Sequence, residues 1–275
     1  MTALLKIGVS GPFTGPRAAY GALLRAAAEA SPLRATLIYG DDKATVAAAL
    51  EVAKAFVAAG VDAVVGHFNS DCARAAGQIY HAAGIPFLMP AATALDLIDV
   101  TQGYRICASD DAQIASLSAW MQLRDQHLTE VWQDGSPYAA RLAAALQAQG
   151  LVGASTLEKT GPIALLGAHH AVAAEIIRRG PNPRPVFVPD DCAIAEFADL
   201  IAGTQTLILC PVAVPAYDTC VRIAFDRLRA AMLRTVPLAQ ALANDPLFAN
   251  GQYTDASFDL REHRALIRPL QEHMQ

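Results

Sequence analysis

The sequence predicts an α/β protein made of two Rossmann-like lobes, each with three α/β/α layers. Three observations support this fold class. Of the 275 residues, 53% are apolar and 17% are charged, which is typical of a globular protein with a substantial core. Short apolar runs alternate regularly with amphipathic helical patterns, as expected of β-α-β units and a mainly parallel sheet. The alternation restarts after Asp110-Asp111, which indicates a second lobe.

Five strands are predicted in the first lobe. They are the apolar runs Lys6–Ser10, Ala35–Tyr39, Ala63–His67, Ile85–Met89 and Tyr104–Cys107. Between the second and third strands, an apolar stripe with a 3.6-residue period extends from Val46 to Val57 and predicts a helix. Gly60 stands where the C-cap of that helix is expected.

The second lobe repeats the pattern. Its predicted strands are Glu130–Trp132, Ile163–Leu166, Val186–Val188 and Leu207–Cys210, and its predicted helices are Ile114–Gln122, Tyr138–Ala148, Ala171–Arg179 and Ala193–Ile201. A long helix, Tyr217–Leu233, follows, and the tail from Tyr253–Phe258 to Ala265–Leu270 predicts a hairpin. We therefore expect residues 1–109 plus 217–245 in the first lobe and 110–216 plus 246–275 in the second.

Composition excludes several classes of protein. The net charge is −5 and the basic residues are scattered, so no surface for nucleic acid is indicated. Charged or amide residues interrupt each apolar stretch before about 18 residues accumulate, which argues against direct membrane insertion. The five cysteines are odd in number and lack any C-x-x-C spacing, so neither a disulfide framework nor a zinc cluster is indicated.

The amino terminus runs directly into the first predicted strand. A secretory leader has a basic segment, an apolar core and a cleavage site, and Met1 to Val9 does not show this pattern. As written, the sequence predicts a cytoplasmic protein, or a periplasmic one whose leader was removed before the numbering begins.

Candidate binding groups follow three strands of the first lobe, where open α/β sheets bind their ligands. Gly11–Gly21 is a glycine- and proline-rich turn that enters a helix. Ser70 or Asp71 is expected to cap the next helix, and Thr93 is expected to open another. Two neighbouring helix N-termini with hydroxyl groups would suit a small anion such as a carboxylate. The alternative is that both hydroxyl residues are only caps.

Enzymatic interpretations find less support. The turn after the first strand lacks G-x-G-x-x-G and G-K-[ST], so a dinucleotide site rests only on Asp41 and Asp42. Gly8–Gly11 is one residue short of a nucleophile elbow. His169 and His170 are adjacent, which predicts that they point to different sides and cannot share a metal ion. We expect no cofactor, no metal and no catalysis, with a cytosolic, nucleotide-dependent enzyme as the alternative.

The same loops carry a family resemblance. The motifs in order are Gly11-Pro-x-Thr-Gly-Pro-x-Ala-Ala-Tyr-Gly21, Asp41-Asp42, Val64-Val-Gly-His67, Ser70, Ile79-Tyr80, Gly84-Ile-Pro86 and Pro90-Ala-Ala-Thr93. With them the sequence resembles the periplasmic leucine/isoleucine/valine-binding proteins, the solute receptors of branched-chain amino acid ABC transporters. The resemblance implies the type I periplasmic binding fold, with lobes joined by hinge crossovers. It also implies non-catalytic binding of a small amino acid or amide in the cleft between lobes, for transport or sensing, with an ABC permease or a regulatory protein as partner.

The resemblance also implies roles for individual residues. Ser70 and Thr93 match the positions that hold the ligand carboxylate, and the Ala91 carbonyl matches an acceptor for the ligand ammonium. Asp190 falls where the family has an acidic partner of the ammonium; the alternative is that it caps the helix from Ala193. The remaining matches are pocket-wall positions, namely Tyr20, Tyr138 and, near a family tyrosine, His169.

Departures from the family lead to further expectations. Neither Ala44 nor Asn69, near the family's disulfide positions, is a cysteine, which together with the missing leader suggests a cytosolic relative similar to the amide sensors. Two segments are shorter, between Lys159 and Pro162 and between Cys210 and Tyr217. The second lobe is therefore expected either to pair with another chain, as in a homodimer, or to bind its ligand loosely. Asn69 in the pocket wall predicts a polar or short ligand over leucine, unless its amide turns to the loop backbone.

Overall fold

The computed structural model describes residues 4–153 and 161–264, which divide into two compact units. The first unit comprises the chain up to Ser109 and the segment Val214–Ser257. The second comprises Asp110–Ala213 and the chain from Phe258 onward. This division differs from the predicted boundaries chiefly in residues 246–257, which lie with the first unit rather than the second.

A seven-stranded sheet forms the centre of the first unit. Its strands are β1 (Leu5–Gly11), β2 (Ala35–Asp41), β3 (Ala63–Gly66), β4 (Phe87–Met89), β5 (Tyr104–Arg105), β10 (Phe248–Ala249) and β11 (Gln252–Tyr253). They are ordered β10-β11-β5-β4-β3-β1-β2, and every pairing except β10 with β11 is parallel. The carboxyl ends of β1, β3 and β4 therefore lie at the same edge, as the sequence predicted.

Helices cover both faces of this sheet. They are α1 (Ala18–Glu29), α2 (Val46–Ala59), α3 (Ser70–Ala82), α4 (Leu97–Thr101), α9 (Tyr217–Met232) and α10 (Leu238–Ala243). One apolar core packs α1 and α9 against the sheet, and a second packs α2 and α3 against its other face. The predicted C-cap of α2 is confirmed, since Gly60 ends the helix with φ 64°. At the other end, the Thr45 hydroxyl accepts the Ala48 N–H.

The second unit contains a five-stranded sheet. Its strands are β6 (Glu130–Gln133), β7 (Ile163–Leu166), β8 (Val186–Phe187), β9 (Leu207–Val214) and β12 (Ser257–Arg264), in the order β12-β9-β8-β7-β6. The helices are α5 (Asp110–Gln122), α6 (Pro137–Ala148), α7 (His169–Arg179) and α8 (Ala195–Leu200). Apolar cores lie on both faces of this sheet as well. The predicted α/β/α layering is therefore present in each unit.

The carboxyl-terminal region differs from the predicted hairpin. Tyr253 belongs to β11, which pairs with β5 through Gln252 and Arg105, whereas β12 lies beside β9 in the other unit. The two segments are therefore in different sheets, because each completes an edge that the preceding strands leave open. The range 265–270 lies outside the described residues.

The predicted helix Ala193–Ile201 is shorter than expected. A 3-10 turn spans Asp190–Cys192, and α8 begins only at Ala195.

In the parts of the chain that the structure describes, no helix combines the length and hydropathy needed to cross a bilayer.

Candidate functional site

The hydroxyl groups predicted to bind a carboxylate are brought together in the first unit. Ser70 is the first residue of α3 and is 7% exposed, and its Oγ accepts the Ala94 N–H at 3.2 Å. Thr93, next to Ala94 in the chain, is 5% exposed. The loop after β4 is thus joined to the start of α3. The first intrahelical N–H of α3 is that of Ala73, so the three preceding amides are left for other acceptors.

The expected capping roles of these residues are not observed. Asn69, rather than Ser70 or Asp71, holds the N-cap position of α3, without a side-chain hydrogen bond. Thr93 does not open a helix, since α4 begins only at Leu97 and is five residues long. The Ser70 hydroxyl is instead drawn to the Ala94 amide, because a buried N–H requires an acceptor. Only one helix N-terminus, that of α3, therefore lies at this junction.

A buried arginine holds the loop that carries Thr93. Arg105 is 6% exposed, and its Nη1 donates to the carbonyls of Ala94 at 2.7 Å and Thr93 at 3.5 Å. Its Nε donates to Gln252 Oε1 at 2.6 Å, directly across the β5–β11 pair. The sequence analysis missed Arg105 and Gln252. A lone arginine in a buried strand was a readable signal, whereas Gln252 comes from a segment 147 residues away.

Ala91 starts this same loop and is partly exposed. The next carbonyl, of Ala92, accepts the Cys107 thiol at 3.4 Å. The loop from Ala91 to Ala94 is therefore fixed by contacts to its backbone at successive residues, which orients its remaining polar groups without any requirement on its own side chains.

Three aromatic rings pack together near the start of α3. Tyr20 lies 4.1 Å from Phe68 between ring centroids, and Tyr217 lies 6.0 Å from Tyr20 and 5.3 Å from Phe68. The Arg17 guanidinium lies over the Phe68 ring at 4.9 Å. Tyr20 was predicted as a wall residue, but Tyr217 was missed because it arrives from the distant helix α9. Burial raises the pKa of the Tyr217 hydroxyl.

Two buried polar atoms of this region lack hydrogen-bond partners among the described residues. They are Asn69 Oδ1 and the Tyr217 hydroxyl. The expectation that the Asn69 amide oxygen bonds the loop backbone is therefore not met within this part of the chain. A buried oxygen left unpaired costs about 1–3 kcal/mol, so both atoms favour an occupant that can hydrogen bond.

In the second unit, Tyr138 and Asp190 are in direct contact. Tyr138 lies in the first turn of α6, and its hydroxyl donates to the Asp190 carboxylate. Burial of that hydroxyl and the neighbouring Asp190 charge raise the pKa of Tyr138 well above its ordinary value. The Asp190 N–H donates to Gln113 Oε1 at 3.2 Å, and the Gln113 amide donates to Asp110 Oδ1 at 3.2 Å. Gln113 and Asp110 were missed, since nothing in their spacing from Asp190 signals the contact.

The capping alternative for Asp190 is not observed. The N-cap of α8 is Ile194, which makes no side-chain hydrogen bond to the helix. Asp191 instead serves α7, because its Oδ2 accepts the His169 N–H at 2.8 Å. The Asp190 carboxylate contacts Tyr138 instead of the start of α8.

His169, predicted as a wall residue, is fully buried and in contact with two carboxylates. Its Nδ1 lies 3.4 Å from Asp191 Oδ2, and its Nε2 lies 3.2 Å from Glu196 Oε2. The prediction that His169 and His170 point to different sides is wrong: their ring centroids are 4.1 Å apart, and Glu196 contacts both. Both are the first residues of α7, so no preceding turn of helix keeps their side chains apart.

A known protein family matches the amino-terminal part of the chain. The family model described as "Periplasmic binding protein" matches residues 5–157, more than half of the chain. The chain belongs to this family. The match covers the first part of the first unit and the beginning of the second, and the resemblance seen in the sequence is confirmed.

Curated relatives of this periplasmic binding protein carry specific names. "Leu/Ile/Val-binding protein homolog 2" of Brucella abortus (strain 2308) is 30% identical over 154 residues, covering 50% of this chain and 41% of the relative. The "Leucine-, isoleucine-, valine-, threonine-, and alanine-binding protein" of Pseudomonas aeruginosa is 34% identical over 113 residues, covering 37% of this chain and 30% of the relative. The matched region thus spans less than half the length of these relatives.

Solved structures show the same fold. The isoleucine complex of LivJ from Streptococcus pneumoniae aligns with a TM-score of 0.72 at 17% identity, covering 94% of this chain and 100% of that one. The leucine-binding protein LivK from Thermotoga maritima aligns with a TM-score of 0.73 at 18% identity, covering 94% and 98%. The predicted type I periplasmic binding fold is therefore confirmed.

The family consists of binding proteins rather than enzymes. One buried cluster contains the residue types of a catalytic triad, but its geometry differs from that of a triad. His67 Nδ1 lies 2.7 Å from Asp42 Oδ2 and 3.1 Å from Ser10 Oγ, and all three side chains are fully buried. A Ser-His-Asp triad places Ser and Asp on opposite ring nitrogens. Here both face Nδ1, while Nε2 contacts the Tyr80 hydroxyl at 3.1 Å. The cluster joins three strand ends and does not form a catalytic relay.

The family description also bears on location. The description names periplasmic binding proteins, and none of the comparisons supports the expectation that this chain is cytoplasmic.

Proposed function

We propose that this chain binds a small amino acid or short amide without chemical change, as the periplasmic receptor of an ABC permease. The observation that carries the proposal is the junction of Ser70 with Ala94. It holds Thr93 beside the start of α3, where the Ala73 N–H makes the first intrahelical hydrogen bond. Two hydroxyl groups and a helix N-terminus together suit a carboxylate, because donors and the helix dipole both favour negative charge.

Asp190 supplies the opposite charge for an amino acid ligand. Its carboxylate accepts the Tyr138 hydroxyl. A ligand ammonium is a charge-assisted donor and binds a carboxylate more strongly than a neutral hydroxyl does. The carbonyl of Ala91 is proposed as a further acceptor of the ammonium, and Tyr20, Tyr138 and His169 as neighbouring side chains.

The ligand is proposed to be polar or short. The unpaired oxygens of Asn69 and Tyr217 support this, since an aliphatic side chain beside them would leave them unsatisfied. The names of curated relatives include leucine, isoleucine and valine, but that of the Pseudomonas aeruginosa relative also includes threonine and alanine. We expect threonine, serine or a short amide to bind at least tenfold more tightly than leucine, about 1.4 kcal/mol.

A thermal-shift panel followed by calorimetry tests the proposal. The panel contains leucine, threonine, serine, alanine, propionamide and, for the enzymatic alternative, AMP and NAD. A shift with an amino acid or amide and none with the nucleotides is expected. Nucleotide binding alone would overturn the proposed function, whereas leucine binding more tightly than threonine would overturn only the polar preference. The matched variant Asn69→Val should narrow the gap between threonine and leucine if the Asn69 oxygen contacts the ligand.

The expected homodimer remains part of the proposal. Light scattering after size exclusion, with and without the ligand found in the panel, decides whether two copies associate.

A further inference from the structure

The second unit contains a cluster of imidazole and carboxylate groups, of which the proposed function uses only His169, as a side chain near the ligand. His169 and His170 are the first residues of α7, and Glu196 lies in the first turn of α8. One ligand atom from each residue lies within 4.8 Å of the others. We propose that these three side chains bind a divalent transition-metal ion of the Zn²⁺ type.

Each imidazole lies close to one oxygen of Glu196, at a distance near the ligand–ligand edge of a tetrahedral metal site. His169 Nε2 lies 3.2 Å from Glu196 Oε2, and His170 Nε2 lies 3.3 Å from Glu196 Oε1. Zinc binds His nitrogen and carboxylate oxygen at about 2.0–2.2 Å, which separates tetrahedral ligands by roughly 3.3–3.6 Å. An ion can therefore enter among these atoms with small side-chain rotations. Three protein ligands leave a fourth position for water or another ligand.

Asp191 orients one of the imidazoles, as expected of a metal-bound histidine. Its Oδ2 accepts the His169 backbone N–H at 2.8 Å and lies 3.4 Å from the ring Nδ1. A proton on Nδ1 would face this carboxylate and leave Nε2 as the ligand atom that faces Glu196. Histidine ligands commonly donate their second ring N–H to a carboxylate, which fixes the tautomer and the ring orientation. The position of Asp191 is set by the 3-10 turn Asp190–Cys192.

Access and charge also suit a divalent ion. His169 is buried, but the His170 and Glu196 side chains are each 39% exposed, so an ion can reach the cluster from solvent. The N-terminus of α7 disfavours a cation, and the negative charges of Glu196 and Asp191 offset that effect. Two nitrogens and one carboxylate favour Zn²⁺, Co²⁺ or Ni²⁺ over Mg²⁺ and Ca²⁺, which prefer oxygen ligands.

The competing explanation is a purely structural cluster in which Glu196 hydrogen-bonds both imidazoles. The two explanations differ in what chelator-treated protein does when metal is added. A metal site binds one ion per chain, and the ion stabilises the fold because it binds the folded state in preference. A hydrogen-bonded cluster gains nothing from added metal at the same concentrations.

The experiment is a titration of the chelator-treated full chain with Zn²⁺ by calorimetry, and with Co²⁺ by visible absorption. We expect one ion per chain, a Co²⁺ spectrum of tetrahedral type and no response to Mg²⁺. His170→Ala and Glu196→Gln should each weaken Zn²⁺ binding at least tenfold and abolish the increase in Tm caused by Zn²⁺. Both residues are partly exposed, so these variants are expected to fold, which circular dichroism checks.

The matched control is His81→Ala, which removes an exposed histidine of the first unit and should leave Zn²⁺ binding unchanged. Binding that survives in both cluster variants, or that is lost in the control, overturns the site, as does the absence of a one-to-one event in the parent. No amino acid is needed in these titrations. Failure of the metal site is therefore distinguishable from failure of the proposed ligand function.

Discussion

The loop that carries Thr93 in the first unit and the side chains around Asp190 and His169 in the second are held mainly by different kinds of contact. In the first unit, side chains contact the backbone: Ser70 accepts the Ala94 amide, and Arg105 donates to two carbonyls of the same loop. In the second unit, side chains contact one another, as in the pairs Tyr138–Asp190 and His169–Glu196. Contacts to the backbone depend on the path of the main chain. Contacts between side chains depend on the identity of both residues.

The family match also extends over different shares of the two units. The family model covers the first unit up to its return segment but ends at residue 157, early in the second. Loop carbonyls and amides can persist while side chains change, whereas a pair such as His169–Glu196 is lost with one substitution. We infer that Ser70 and Thr93 of the first unit bind the ligand carboxylate, and that Asp190 of the second unit distinguishes an amino acid from a neutral amide.

The largest expected effect comes from the charge of the second unit. Asp190→Asn should weaken binding of an amino acid by about 2–5 kcal/mol, because the ligand ammonium is left without a charged partner. A neutral amide carries no such charge and should lose far less. Calorimetry with threonine and propionamide measures both losses on one preparation.

Asp191→Asn serves as a neighbouring variant, since the Asp191 side chain contacts His169 rather than Tyr138. It should change threonine affinity less than Asp190→Asn does. Equal losses for threonine and propionamide in Asp190→Asn would remove Asp190 as the partner of the ammonium.

The first unit predicts the next largest effect. Thr93→Val removes a hydroxyl while keeping the side-chain shape, and loss of a hydrogen bond to a carboxylate costs about 1.5–3 kcal/mol, or tenfold to a hundredfold in affinity. The control Thr101→Val removes a buried hydroxyl that donates to the Leu97 carbonyl in the same unit. It should lower stability and leave affinity unchanged, whereas unchanged affinity in Thr93→Val would exclude Thr93 from the site.

The fold and the first half of the site were largely predictable from the sequence. Strands could be located because the apolar runs are short, and the end of α2 could be located because Gly60 stands at its C-cap. Ser70 and Thr93 follow neighbouring parallel strands, so their proximity follows from sheet geometry alone. The capping roles were wrong, because a hydroxyl beside a helix start can serve a neighbouring loop amide as well as its own helix.

The remainder of the site depends on contacts between distant segments. Gln252 reaches Arg105 only because β11 returns to pair with β5, and Tyr217 joins Tyr20 only because α9 packs beside α1. In the second unit, Glu196 reaches His169 across 27 residues. Such contacts are set by tertiary packing and leave no periodicity or spacing in the sequence.

A smaller effect is expected when the backbone support of the first unit is weakened. Arg105→Met keeps the length and burial of the side chain but removes its donors to the Thr93 and Ala94 carbonyls. We expect about a tenfold loss of affinity for amino acids and amides alike, because the loop position changes rather than one contact. Gln252→Met, one step further from the loop, should cost less. If Arg105→Met loses more ligand affinity than Thr93→Val does, Arg105 acts on the ligand directly.

The smallest expected effect concerns the ion pairs of the second unit and their pH dependence. Glu175 lies in α7 with Arg178 Nε at 2.7 Å and Arg179 Nε at 2.6 Å, and these hydrogen bonds lower its pKa from 4.5 to about 2. A lowered pKa stabilises the fold above pH 4.5, and this stabilisation is lost as the pH falls towards 2. Glu175→Gln should therefore lower the free energy of unfolding by about 1 kcal/mol at pH 7, since Arg178 is largely exposed.

Urea unfolding of the parent and of Glu175→Gln between pH 7 and pH 3 measures this difference. The gap between the two proteins should be constant down to about pH 5 and then narrow, because protonation removes from the parent the charge that the variant already lacks. The control Glu51→Gln removes an exposed i,i+3 partner of Lys54 in the first unit and should cost only a few tenths of a kcal/mol. A gap that stays constant to pH 3 would show that Glu175 stabilises α7 by packing and not by charge.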